Sequence, residues 1–169
     1  MPLSKTADFS EIQQLIYEIK IWGAAGDEIS WQLLKAAPLP QCYFSRIPLL
    51  LDKMDEKVCL DLYYKPSILE GLPPAFTASL VMGGTRILAV DSGLAAMHLN
   101  KVGQGEEFYA QSFAHPHLHR ATETALQGYA EPLPASDIED LWEDFLLLAN
   151  ILEAPPLNFP DAQQGRLPL

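Results

Sequence analysis

The stretch SFAHPHLHR, residues 112–120, holds three of the chain's four histidines. On a strand, residues i, i+2 and i+4 share one face, so His115, His117 and His119 would stand in a row. Neighbours in such a row lie roughly 6.5–7 Å apart along the strand. Three kinds of chemistry fit. Two or three imidazoles can converge on a zinc ion. One can act as a general base while the others tune its pKa. Or the row simply faces solvent on an edge strand, which Pro116 would mark. The last reading is preferred. No second cluster of Cys and His at ligand spacing accompanies the row, so no metal and no cofactor are assigned.

The fourth histidine, His98, precedes the row across a GQG turn. If Val102 pairs with Phe108, His98 opposes Ser112 and lies behind the row. A one-residue bulge at Gly103 or Gly105 reverses that parity and brings His98 to the same face. The spacing leaves both open. A small hydrolase would use His98, His117 and His119 with Asp91 or Arg120, while His115, Arg86 and Asn100 are candidate binding residues. Asp91 followed by Ser92 and Gly93 also reads as an ordinary turn, and Arg86 as a strand flank. The sequence carries no phosphate loop, nucleophile elbow or CxxC pair, and a GQG triplet alone is no nucleotide fingerprint.

These residues need a frame. Asp8 and Glu11 have capping-box spacing, and Phe9, Ile12, Leu15, Ile16 and Ile19 recur at helical period, predicting a helix to about Trp22. Residues 29–37 are ambiguous, with strand preferred. From Tyr43 to His119 the chain reads mostly β. KVCLDLYY alternates cleanly, and FTASLVM, GG and TRILAVD form a hairpin whose glycines supply positive φ. A second helix begins at Ser136, with Glu139 at the capping-box position. Ile138, Leu141, Trp142, Phe145, Leu148, Ala149 and Leu152 line its apolar face. The fold class is α+β: a single antiparallel, mostly hairpin-connected sheet with an N-terminal helix and a C-terminal amphipathic helix packed on it. Residues 1–152 form one domain. Residues 153–169 are a Pro-rich tail, extended or disordered unless Leu157 and Phe159 dock.

The chain has 169 residues and is 49% hydrophobic, enough for a core without staples. Its net charge of −11 repels phosphate backbones and steers basic partners. Nucleic acid is disfavoured as a partner, a protein with a basic surface is favoured, and homo-oligomerisation is left open. No apolar run reaches membrane-span length. MPLSKTADFSEI lacks the apolar region of a signal peptide, so the expectation is a cytoplasmic protein with Cys42 and Cys59 as buried thiols.

The order TRILAVDSG, MHLNKVGQGE, HPHLHR, GYAEPLP and DIEDLWEDFLLLANI resembles an uncharacterised prokaryotic family of small proteins of unknown function. The resemblance covers about residues 84–152. It implies that Arg86, Asp91, His98, Asn100, Gly105, His117 and His119 are the matching positions. A looser likeness to small ribonuclease toxins of toxin–antitoxin pairs implies RNA hydrolysis, against which the negative charge stands. The expected function is an acidic accessory protein that binds another macromolecule, with a His-dependent, ribonuclease-like hydrolase as the alternative.

Overall fold

A computed structural model describes residues 8–34, 41–52, 57–67, 71–93, 97–134 and 137–160. Helix α1 spans Phe9–Tyr17. Its capping box is complete: the Glu11 amide donates to Asp8 Oδ1 at 2.9 Å and the Asp8 amide to Glu11 Oε2 at 3.0 Å. The helix does not reach Trp22. Residues Lys20–Trp22 are instead strand β1, parallel to β11 (Ile151–Leu152) and antiparallel to β3 (Tyr43–Leu50).

Lys20 explains the switch. Its fully buried ammonium donates to the carbonyls of Ile16, Glu18 and Ala149 at 3.2, 2.6 and 2.7 Å. These carbonyls end two helices, where a cation complements the macrodipole. Burial pushes the Lys20 pKa down to about 8, which leaves the ammonium charged at neutral pH. Local periodicity favours more helix; the long-range ammonium contact and the sheet pairing override it.

Strand β2 is only Gln32–Leu33, paired to the start of β3; residues 35–37 of that ambiguous stretch lie outside the described residues. Strands β4 (Val58–Lys65), β5 (Ala75–Met82) and β6 (Thr85–Ser92) continue the sheet. The β5–β6 turn has Gly83 at φ 56° and Gly84 at φ 85°, the two positive values of a type I′ hairpin. Strands β7 (His98–Leu99) and β8 (Ser112–Phe113) form a separate two-stranded ribbon. The chain then returns to the main sheet as β9 (His117–Arg120) and β10 (Ala130–Pro132).

The main sheet runs β10-β9-β6-β5-β4-β3-β1-β11, with β2 beside β3. The α+β class with a mostly antiparallel sheet therefore stands. The single antiparallel sheet does not, because β1 and β11 are parallel and the β7–β8 ribbon is separate. One face of the sheet carries Leu60, Leu62, Phe76, Ala78, Leu80, Leu88, Val90 and Leu118, all in the core.

Helix α2 spans Ile138–Leu148 and covers that face. Its N-cap is Asp137, whose carboxylate accepts from the Asp140 amide at 2.9 Å; Ser136 lies outside the described residues. Ile138, Leu141, Trp142 and Phe145 are buried, and Trp142 meets Trp22 and Phe76 edge-on. Leu148 and Leu152 leave the expected apolar face: they are exposed, and Leu152 belongs to β11. The helix ends at Leu148 because Ile151 and Leu152 pair with β1.

The tail docks as far as Pro160. The Trp142 indole N–H donates to the Pro155 carbonyl at 3.2 Å. Asn158 accepts from the Ile29 amide at 2.7 Å and donates to its carbonyl at 3.1 Å. Leu157 and Phe159 pack on the core. Residues 161–169 lie outside the described residues. Cys42 and Cys59 are half-buried free thiols. Cys59 lies opposite Pro48, so Cys42 is about 20 Å away along β3 at strand rise, too far to bridge. No helix among the described residues is long and apolar enough to cross a membrane.

Phe145 is fully buried. Phe145→Ala should therefore cost about 3–5 kcal/mol in urea unfolding, the range for truncating a core aromatic; a loss under about 1 kcal/mol would contradict this packing.

Candidate functional site

The core occupies one face of the sheet. The other face carries the histidines. Strand β6 pairs with β5 on one side and β9 on the other, so Thr77, Asp91 and His117 form one cross-strand row. Ser79, Ala89 and His119 form the next. Leu118 points into the core, as alternation requires.

A bulge makes this row. Met82 pairs with Thr85 and Val81 with Arg86, but Leu80 pairs with Leu88, so Ile87 is the extra residue. Without it, Arg86 would share the core face of Leu88 and Val90. With it, Arg86 turns to the face of Asp91. The same shift places Thr77 rather than Phe76 opposite Asp91.

The solvent-facing row is overturned. Strand β9 is not an edge; it lies between β6 and β10, and Pro116 sits just before it, joined to His115 by a cis peptide. His117 is only 3% exposed. Its Nε2 lies 3.0 Å from His119 Nε2 and 3.5 Å from Asp91 Oδ2, while His119 Nε2 lies 3.0 Å from the same oxygen. The Thr77 hydroxyl donates to Asp91 Oδ1 at 2.7 Å, and Arg86 Nη1 stands 3.8 Å from Oδ2. Burial works to raise the Asp91 pKa. Hydrogen bonds from His117, His119 and Thr77, with the charge of Arg86, outweigh it and hold the carboxyl well below the usual range.

The β7–β8 ribbon brings His98 onto the cluster. Its register pairs His98 with Phe113 and Leu99 with Ser112, one residue away from the unbulged expectation, with Gly103 and Gly105 both at positive φ. The His98 ring centroid lies 5.0 Å from that of His117 and 4.9 Å from that of His119. The three histidines each offer a ring nitrogen within 4.8 Å of the others.

Asn100 holds the ribbon there. It is 1% exposed. Its side chain donates to the Ala130 and Phe108 carbonyls at 2.8 and 2.9 Å and accepts from the Ala130 amide at 2.8 Å. Those contacts fix which end of the amide is oxygen, and that oxygen is 3.0 Å from His98 Nε2. His98 Nε2 is therefore the protonated nitrogen, and Nδ1 keeps a lone pair when the ring is neutral. Burial pushes the His98 pKa down against the raising effects of the Asn100 bond and a Gly128 backbone contact, and His119 and His117 lower it further. Since Ala130 is the partner of His119 across β9–β10, Asn100 ties His98 to the strand register of the cluster.

The remaining candidates divide. Arg86 joins the cluster. Asn100 is a positioning residue rather than a ligand contact. Arg120 does not join the cluster: it alternates to the other face, and its Nε donates to Glu131 at 2.7 Å. His115 lies outside β9; its ring centroid lies 4.4 Å from that of His117, tilted at 46°, but it does not share the convergence of nitrogens. Sequence reading missed Thr77 and Phe113. Phe113 packs against His98 and His117 at 5.6 and 5.9 Å. The GG hairpin, counted without the bulge, pairs Thr77 with Val90, so only the bulge reveals it.

Beside the cluster lies a cavity of about 330 Å³, lined by His119, Arg86, Arg120, Gln127 and Tyr129. Compared with known protein families, curated proteins and solved structures, the chain matches none.

Asn100→Ala should cost about 2–4 kcal/mol in urea unfolding, because it strands a buried amide and two carbonyls. It should also release His98 from the cluster, read as a shift of its imidazole NMR signals toward those of an exposed histidine. Unchanged stability and unchanged signals would exclude the clamp.

Proposed function

We propose that the chain is a small hydrolase acting on a phosphate ester, with His98, His117, His119 and Asp91 as its site. The observation that carries this reading is the convergence of these four side chains, of which His119 lines a cavity together with Arg86. Buried, mutually close titratable groups at a cleft are where acid–base chemistry is expected. Arg86 is 45% exposed, and its guanidinium matches the oxygens of a phosphoryl group. The cluster positions and activates a water. His98 keeps an unprotonated nitrogen, because burial lowers its pKa, and takes the water proton. The water oxygen bonds to phosphorus as the ester P–O bond breaks, and the proton passes to the departing oxygen. The net charge of −11 favours a small substrate over a polynucleotide.

The test uses untagged full-length protein with p-nitrophenyl phosphate and bis(p-nitrophenyl) phosphate. His98→Gln, which removes the base, and His119→Gln, which breaks the cluster, should each lower kcat about 100-fold or more. Arg86→Met should act mainly on KM. A wild-type rate no higher than that of His119→Gln on both esters would end this reading.

A second reading, a protein partner with a basic surface, is favoured by helix α2. Its outer side presents Glu139, Asp140, Glu143 and Asp144, all exposed, around Leu147, which is 79% exposed. Such a face would bind a basic, partly apolar helix or loop. The double change Glu139→Lys and Glu143→Lys should then abolish capture of that partner, and capture by wild type should weaken as salt rises; capture that survives the charge reversal would rule this face out.

A further inference from the structure

We infer that His117 Nε2, His119 Nε2 and Asp91 Oδ2 are the protein ligands of a divalent transition-metal ion of the zinc class. The inference deepens the hydrolase reading and rests on the same side chains, but it is tested without a substrate.

The distances carry it. The three atoms are separated by 3.0, 3.0 and 3.5 Å. Zinc bonds of 2.0–2.1 Å in tetrahedral directions place neighbouring ligand atoms about 3.3–3.4 Å apart. The observed triangle brackets that spacing. Protons alone fit it poorly. Each imidazole Nε2 either donates one hydrogen or offers one lone pair. A single hydrogen on His119 would have to be shared between Asp91 and His117. Placing a hydrogen on both nitrogens brings two N–H groups to 3.0 Å. A cation at the centre accepts all three lone pairs at once.

The donor set and the carboxylate's contacts agree. Two imidazoles and a carboxylate are a donor set that suits zinc. Asp91 is fixed through its other oxygen, which accepts from the Thr77 hydroxyl at 2.7 Å; such outer contacts orient ligating carboxylates. The ligands come from two adjacent strands, β6 and β9, paired at Asp91 and His117, so the triangle is built into rigid elements. His98 stands beside them with a nitrogen within 4.8 Å of those of His117 and His119.

The experiment uses the untagged full chain, stripped with a chelator and titrated with Zn²⁺, then with Co²⁺ as a visible probe. The expected result is one equivalent per chain, with affinity in the micromolar range or tighter and Co²⁺ absorption of tetrahedral type. His119→Gln and Asp91→Asn should each weaken Zn²⁺ binding by about 100-fold, and Thr77→Val by about 10-fold. His115→Gln, outside the triangle, should bind like wild type. Folding of each variant is checked by circular dichroism. Because the titration on wild type stands alone, a variant that fails to fold leaves the inference falsifiable. Folded wild type that takes up no Zn²⁺, or a folded His119→Gln that binds as tightly as wild type, overturns it. Folded wild type that takes up no Zn²⁺ yet hydrolyses the esters overturns the metal and leaves the hydrolase. Stoichiometric Zn²⁺ without ester turnover supports the metal site and removes the hydrolase.

Discussion

The site depends on one pairing, Asp91 against His117 across β6 and β9. It sets a carboxylate beside two imidazoles at ligand-like distances. A slip of β9 by one residue would turn Leu118 outward and His117 into the core. The hydrophobic face enforces the register, since Leu88, Val90 and Leu118 are all core residues. The apolar core therefore specifies the polar site on the sheet's opposite side.

That opposite side would be open to water without a cover. The β7–β8 ribbon supplies one, and Asn100 acts as its fastener. By bonding both the amide and the carbonyl of Ala130, Asn100 takes the role of a neighbouring strand for the outer edge of β10. The contact satisfies backbone groups that a buried edge would leave unpaired. It also orients His98 through a single acceptor oxygen. Gly103 completes the fit: at φ 84° its Cα faces the Tyr129 ring, and an added Cβ would come within 2.6 Å of it. The loop can lie against Tyr129 only with glycine there.

Burial and charge act together on this face. Asp91 remains ionised despite desolvation because four polar neighbours favour the anion. Lys20 remains charged at the far end of the sheet because three helix-end carbonyls surround it. In both places a buried charge sits where separate elements meet, and its partners come from both sides. These contacts decide which chain segments lie together, beyond what the apolar residues specify.

Much was legible in the sequence because it depends on local rules. The Asp8 capping box, the GG hairpin, the alternation of β4, the apolar face of α2 through Phe145, and the common face of His117 and His119 follow from period and turn chemistry. Tertiary structure decided the rest. The end of α1 at Tyr17 depends on a carbonyl at the end of α2, 129 residues from Lys20 in sequence. The placement of β9 inside the sheet depends on β10 arriving from a later segment. The Ile87 bulge, which turns Arg86 and Thr77 toward Asp91, leaves no mark in a hydrophobic pattern because isoleucine suits either parity. His98 meets the other histidines by folding of a separate ribbon over the sheet, not by strand alternation. The sequence by itself determined which residues could share a face; only packing of distant segments determined which faces meet, because those contacts are set by long-range pairing energies that no local window contains.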